Sequence, residues 1–460
     1  MKHLLRWPLL LFLRYKARRA LRQHRPLIVG VAGAVGKSST VQAIYAALSG
    51  TRRVRYTPGN SETGVPLGIL NIKQTGYGFW DWVVVVMKAL VARPRLEDIE
   101  ILVVEMGTDE LTAPKNMEYL LSIVQPDIAV WLNVYAAHLS QFELGLSRAE
   151  RQLPEQEKAQ LLIKKIAAED GKIITASECH TALYCADNAP VVDELRQHEQ
   201  LLATKRVFTF GSNASNSLTY VGEKISLAGT TFAFRSGEEE CTVSLPGHVL
   251  PTEYREVIAA ALLTARACGV AYSVAAKNIM NNLVLPPSRS SVLAGLNGST
   301  IIDSTYNASP EAVKTFLQLT KNIARESQQP TVFLCGDMRE LGVHAPREHQ
   351  AVAALLPGTM DYVYCVGELT KQHVVGYLDT TGRTTAFKEL RWFATARELG
   401  AYLKEHLPNQ SLVLAKGSQN TIFLEEAVAQ IVRNPNDRAK LCRQENYWQK
   451  MKEKFFSTVS

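Results

Sequence analysis

Lys37 and Ser38 follow two spaced glycines, Gly33 and Gly36, in the run LIVGVAGAVGKSSTVQAIYAALSG that begins at Leu27. A β-branched stretch to Ala32, a glycine turn and then helical periodicity read as strand, loop, helix. In such a loop the backbone N–H groups of Gly33, Ala34, Val35 and Gly36 can wrap a phosphate. Lys37 then brings a point charge to the β and γ oxygens, and Ser38, followed by Ser39, can set a hydroxyl on Mg²⁺. The general GxxxxGK[ST] pattern wants glycine at position 31, where Val31 stands, so the loop is not a standard ATPase loop. The competing reading is a plain glycine turn with an exposed lysine. Glu105 ends a second apolar run, IEILVVEMG, at the position where α/β sheets present side chains to ligands, and a carboxylate opposite Lys37 and Ser38 suits a metal ion.

The elements that must position these groups are those of a globular chain. At 460 residues and 46% apolar, the sequence can build two or three cored domains, and disorder and fibrous architectures are excluded. No apolar run approaches the roughly 20 residues of a spanning helix. Seven cysteines with no CxxC pair read as reduced thiols in the cytoplasm, neither a disulfide framework nor a zinc site. Eight of the 51 basic residues and no acid fall in residues 1–26, which leaves 43 bases against 44 acids in the rest. This segment, with its short apolar stretch Leu9–Leu13 and following arginines, lacks the cleavage site of a secretory signal. It reads either as an interfacial helix, with Trp7, Phe12 and the leucines entering a bilayer and the arginines meeting anionic lipid, or as a helix packed on the protein's own body. Confinement of positive charge to one short element, with no recognised nucleic-acid motif after it, excludes nucleic acid as a partner.

Further along, a β-rich stretch covers Phe208 to Leu245. After it, strands STIIDS, TVFLCGD, DYVYCVG and SLVLAKG alternate with helices from Pro310, Pro346 and Thr421, a Rossmann-like parallel sheet. The fold expected is α/β: a basic amphipathic helix (1–26), a central P-loop domain with a parallel sheet (27–286), a C-terminal Rossmann-like domain (287–435) and a helical tail (436–460).

The shortened loop GAVGKSS resembles that of the Mur ligases, the ATP-dependent amino-acid and peptide ligases of cell-wall precursor synthesis. The segments TPGNSETGVPLGIL (Thr57–Leu70), VVEMG, NVYAAHLSQF (Asn133–Phe142), DSTYNASP (Asp303–Pro310), CGDMRELG (Cys335–Gly342) and AKGS (Ala415–Ser418) follow in the family's order. The YNASP and GDMRELG runs are similar to the branch that adds D-alanyl-D-alanine. The resemblance implies ATP and Mg²⁺ as cofactors, a muramoyl-peptide acceptor, a D-Ala-D-Ala-like amine donor and an amide formed through an acyl phosphate. ATP would lie between the two domains, whose closure brings acyl phosphate and amine together. The resemblance makes His138 a metal ligand beside Ser38 and Glu105. It makes Lys158, in EKAQLL, a lysine carbamylated by CO₂ into a further ligand, provided an insertion around Gly145–Pro154 accounts for its spacing; a helix-surface lysine is the alternative. Arg289 reaches the phosphates, Tyr306 and Asn307 belong to the nucleotide site, and Asp303 either covers the ribose or merely ends its strand. Asn60, Asp337, Arg339, Glu340, Lys416 and Ser418 are expected at the substrate, and His349 is expected to be structural.

Departures accompany the likeness. Thr252 and Arg255 stand where two adenine-binding asparagines are expected, and Ser304 replaces an acid. Only 32 residues precede Gly33, where the family carries a uridine-binding domain of roughly a hundred residues, so the nucleotide-sugar end is held differently or the acceptor is not UDP-linked. A cytoplasmic enzyme, with peripheral contact to the inner membrane face through residues 1–25, is the resulting expectation. Rival readings are a pseudomurein-type or folylpolyglutamate-synthase-like ligase, and a catalytically weakened nucleotide-binding scaffold.

Overall fold

The computed structural model of the chain describes residues 6–459 apart from 75, 77, 93–95, 136–138 and 419–420. Two compact units result. One runs to Glu223 and takes in Phe232–Ser244 and Thr252–Val284; the other holds Lys224–Thr231, Leu245–Pro251 and the chain from Leu285.

In the first unit, strands β1 (Leu27–Ala32), β2 (Val54–Tyr56), β3 (Ile101–Glu105), β4 (Ile128–Trp131), β5 (Thr181–Cys185) and β6 (Arg206–Gly211) form a parallel sheet in the order β2-β3-β1-β4-β5-β6. β3 and β4 are buried along their whole length, which is why they read as unbroken apolar runs rather than alternating ones. The sheet continues through β7 (Leu218–Ser226), β8 (Gly229–Ser236) and β9 (Glu239–Pro246), the β-rich stretch expected from the sequence. β4 ends at Trp131, and Asn133 just beyond it turns away to serve the loop after β1.

The N-terminal helix, Arg6–His24, buries Leu10, Leu13, Ala17, Ala20 and Leu21 in the same core as β1 and β3. Each buried leucine contributes roughly 2 kcal/mol there, so these leucines are committed to the protein's body rather than to lipid. A helix that the sequence reading did not place, Phe79–Val91, packs on this core through Val85 and Ala89. Its start is fixed by Asp81, whose carboxylate accepts from the Gly78 N–H at 2.8 Å.

The second unit is built on β10 (Ser291–Ala294), β11 (Thr300–Ser304), β12 (Thr331–Gly336), β13 (Tyr362–Val366), β14 (Glu389–Phe393) and β15 (Leu412–Lys416), in the order β10-β11-β15-β12-β13-β14. All neighbours are parallel except β10 with β11. The helix Pro310–Ser327 starts where Ser309 accepts from the Ala312 N–H and proline occupies its first turn. The helix expected from Thr421 begins instead at Glu425. Thr421 and Phe423 have φ of 60° and 46°, left-handed values that no right-handed helix accommodates.

Candidate functional site

Central position in the sheet decides what surrounds the loop after β1. β1 lies between β3 and β4, with Val31 level with Glu105 and Ala32 level with Trp131. Residues 33–38 therefore leave the sheet flanked by the carboxyl ends of both neighbours, at the switch point where open α/β sheets bind ligands. Gly33 has φ +138°, and a Cβ there would stand 3.0 Å from the Leu132 Cβ and 3.1 Å from the Asn133 N. Asn133 clamps the loop: its backbone carbonyl accepts from the Ala34 N–H at 2.9 Å, its Oδ1 accepts from the Val35 N–H at 2.9 Å, and its Nδ2 donates to the Val35 carbonyl. Nδ2 also donates to Glu256 at 3.0 Å, whose carboxyl is shifted upward by burial. Neither Asn133 nor Glu256 was assigned this clamping role from the sequence.

The helix Lys37–Leu48 begins at the loop, and the N–H groups of its first turn have no acceptor within the helix. They are the donors left for an anion. Lys37 folds its ammonium back onto the Gly33 and Ala34 carbonyls at 2.5 and 3.2 Å. Ser38 Oγ donates to Glu105 Oε2 at 2.8 Å, and Asn60 Nδ2 donates to Glu105 Oε1 at 3.1 Å. Glu105 is buried, so a hydroxyl, an amide and a carboxylate converge beside the phosphate loop with oxygen donors suited to a hard divalent cation.

His138 lies outside the described residues. Lys158 sits in the first turn of the helix Glu155–Thr175, with its Nζ 2.7 Å from Glu155 and 3.8 Å from Glu143. The hydrogen bond to Glu155 raises its pKa, which holds the proton that addition of CO₂ must displace. The same helix brings in Asp170, which no sequence signal singled out. It is buried, accepts a short hydrogen bond from Thr108 Oγ1, and is pushed up to about 6 by burial, with Thr108 and the charge of Lys37 opposing. Near the start of the helix Tyr254–Ala267, Thr252 Oγ1 donates to Glu223 at 2.7 Å and the Arg255 guanidinium lies 4.4 Å from the Tyr220 ring centre. Arg255, Tyr220, Phe232 and Phe234 line a hollow of about 280 Å³.

In the second unit the ends of β11, β15 and β12 meet, with Ser304 level with Lys416 and Lys416 level with Cys335. Lys416 Nζ donates to Ser304 Oγ at 3.1 Å and to the Asn307 carbonyl at 3.0 Å. Burial, reinforced by Arg289, lowers its pKa to about 7. The Arg289 guanidinium stacks 4.5 Å from the Tyr306 ring centre, and its buried Nε has no partner among the described residues. Asp303 is fully buried and accepts from Ser288 Oγ, Thr305 N and Thr305 Oγ1, so it fixes its own turn and is not exposed to a ribose.

Ser418 Oγ accepts from the Arg339 N–H at 2.8 Å and donates to the Ala308 carbonyl at 3.2 Å, joining two of the expected substrate loops. Asp337 Oδ1 accepts from the Thr370 N–H at 2.8 Å, and Arg339 and Glu340 are exposed beyond it. His349 is buried; it donates through Nδ1 to the Ala345 carbonyl and accepts the Met338 N–H at Nε2, so it is a neutral brace for the 337–340 loop. The sequence also missed Arg443, which donates to the Thr305 and Tyr306 carbonyls and pairs with buried Glu425 at 2.8 Å.

Two family models match the chain: the Mur ligase middle domain over residues 31–145, and the Mur ligase, glutamate ligase domain over residues 288–419. A UDP-N-acetylmuramoyl-tripeptide--D-alanyl-D-alanine ligase of Bacillus subtilis is 27% identical over 414 residues, 89% of this chain and 76% of the relative. Among solved structures, the MurF ligase of Thermotoga maritima in complex with ADP superposes with a TM-score of 0.65 at 23% identity, covering 92% of this chain and 83% of that one. MurF from Acinetobacter baumannii gives 0.65 at 18% identity over 91% and 79%. These structural likenesses establish the shared fold.

Proposed function

Because the chain belongs to the Mur ligase family, carrying that family's middle and glutamate-ligase domains in order, we propose that it is an ATP-dependent peptide ligase of peptidoglycan precursor synthesis. It joins D-alanyl-D-alanine, or a closely similar amine, to the carboxylate of a muramoyl peptide. The observation that carries this reading is the Ser38–Glu105 hydrogen bond at 2.8 Å, which binds the phosphate loop to a metal-competent carboxylate. The name of the Bacillus subtilis relative supports the choice of substrates over a folylpolyglutamate-type reaction.

The acceptor carboxylate attacks the γ-phosphorus of ATP, forming an acyl phosphate and releasing ADP. The amine nitrogen then attacks the acyl carbon, the C–O bond to phosphate breaks, and the nitrogen gives up its proton as the amide forms. Lys37 leaves the Gly33 and Ala34 carbonyls to neutralise the phosphates, alongside the N–H groups of its helix. Glu105 and Ser38, with His138 and a carbamylated Lys158, would hold Mg²⁺, which supplies charge neutralisation at the transferring phosphoryl group. Glu155, which now holds Lys158, is itself 70% exposed, so water competes for its carboxylate and the pair does not bar this conversion. The hollow beside Arg255 and Tyr220 offers the adenine ring a stacking surface. Arg289 and Lys416 form the anion-facing part of the second unit. ATP as substrate and seven unpaired cysteines fit a reducing, cytoplasmic setting.

The test is a reaction of the purified chain with MgATP, D-Ala-D-Ala and a UDP-muramoyl tripeptide, read by mass spectrometry. A product one dipeptide heavier, less one water, with stoichiometric ADP and phosphate, is expected. Turnover only with an unrelated amine would move the protein to a neighbouring branch of the family.

A further inference from the structure

The helix Phe79–Val91 is 13 residues long and turns its apolar residues in both directions. Val85 and Ala89 face the core, while Trp80, Val83, Val84, Met87, Leu90 and Val91 are exposed, Trp80 and Val91 each by 76%. At 100° per residue the six exposed residues fill one arc of about 120° on the side away from the core. Phe79, 66% exposed, sits edge-on to Trp80 at 5.4 Å. An unbroken apolar face of this kind is rare on a protein that meets only water.

The N-terminal helix lies beside it. Lys16 Nζ donates to the Leu90 carbonyl at 3.0 Å, and the two helices bury their opposite faces in one core. Their outer faces therefore point away from the same side of the unit. The outer face of the N-terminal helix carries Arg18, Arg19 and Arg22 with Tyr15 and Leu11, around a shallow groove of about 690 Å³, while half-buried Arg14 at its edge donates to Ser122 and exposed Arg18 also reaches the Ser122 carbonyl. That helix contains no acid. Three acids around these helices have partners: Asp81 accepts from the Gly78 N–H, Glu62 pairs with Arg6 and Glu97 lies 3.7 Å from His24.

We infer that these two helices form a docking surface for an anionic lipid bilayer, with Trp80, Val84, Met87 and Val91 entering the headgroup boundary and Arg18, Arg19 and Arg22 meeting lipid phosphates. The inference goes beyond the ligase reading and does not depend on it. A helix of about 20 Å is too short to cross a hydrocarbon core of about 30 Å, so it lies along the interface. No helix among the described residues is long and apolar enough to span. Charge complementarity selects lipid over a second copy of the chain, because a two-fold contact through this face would bring the same arginines together. Of the two readings of the N-terminal helix, packing on the protein's own body holds for Leu10 and Leu13; in this proposal its arginines supply the charge and the neighbouring helix supplies the apolar insertion.

Co-sedimentation of the full chain with vesicles tests this without any assay of ligation. Vesicles of phosphatidylglycerol and phosphatidylcholine should pellet the protein, and those of phosphatidylcholine alone should bind at least about tenfold more weakly, as should the mixed vesicles in high salt. The triple variant Trp80→Ser, Val84→Ser, Met87→Ser, at exposed positions, should lose binding by at least about tenfold with unchanged thermal unfolding. The variant Arg18→Ser, Arg19→Ser, Arg22→Ser should bind both vesicle types alike. Protein that stays in the supernatant with the mixed vesicles, or a serine variant that binds as well as the parent, overturns the proposal. So does a dimer in sedimentation velocity that the serine variant dissolves while neither form binds vesicles.

Discussion

Ser38 and Glu105 stand 67 positions apart and meet because β1 and β3 are neighbours, so the pairing was legible only as two strand ends with suitable chemistry. Lys37, Ser38 and Glu105 were readable because a phosphate demands glycine, lysine and hydroxyl at fixed spacing. The grip of Asn133 on the loop, and of Glu256 on Asn133, was not, since nothing local says what an amide after β4 will touch. Replacing Lys37 by methionine should lower acceptor-dependent phosphate release by about a thousandfold with the fold intact, as a phosphate assay and circular dichroism would read. Lys158 gives a spectroscopic test: with ¹³C-bicarbonate a carbamate resonance is expected from the parent and absent from Lys158→Ala, and a parent without it removes the lysine from the metal site. Asp170 carries a pH signature. Burial raises its pKa from 3.8 to about 6, so between these values the folded protein holds a proton that the unfolded chain has released. Stability from this group is thus highest below that interval and falls by about 3 kcal/mol as pH rises through it. Asp170→Asn should remove the slope and unfold at higher urea than the parent at neutral pH.

The element scale shows why some of the fold was readable and some was not. The alternation of apolar runs with helical patterns gave β11, β12, β13 and β15, whereas β14, an edge strand with one buried residue of five, has too little apolar pattern to announce itself. FWDWVVVVMKALV carries a β-branched run that propensity assigns to strand, and tertiary packing with the Gly78–Asp81 cap makes it helix. The expected helical tail forms as Asn446–Val459, and its Lys452 is fully buried against Glu425 and Glu426, at 3.0 and 2.8 Å. Because Arg443 shares Glu425 and holds the Thr305–Tyr306 turn, its replacement by methionine should cost about 3 kcal/mol. Urea unfolding measures that loss, and a raised KM for substrate in the same variant, absent from an equally destabilised core variant, would show that the turn under Arg289 depends on it.

For the whole molecule, 43 bases against 44 acids beyond residue 26 leave a nearly neutral body with its surplus charge on one helix. That asymmetry was visible in composition; its partner, the apolar face next to it, needed the structure, because burial of Val85 and Ala89 alone tells which side of Phe79–Val91 remains outside. The ligase reading rests on the cradle at the switch point of the first sheet, where loop amides, Lys37, Ser38 and Glu105 converge. Calorimetric titration of the chain with magnesium nucleotide tests it most directly. Saturable heat that disappears in Lys37→Met, and weakens in Glu105→Gln only when magnesium is present, is the result expected. No heat from the parent protein, or equal affinity in Lys37→Met, would contradict it.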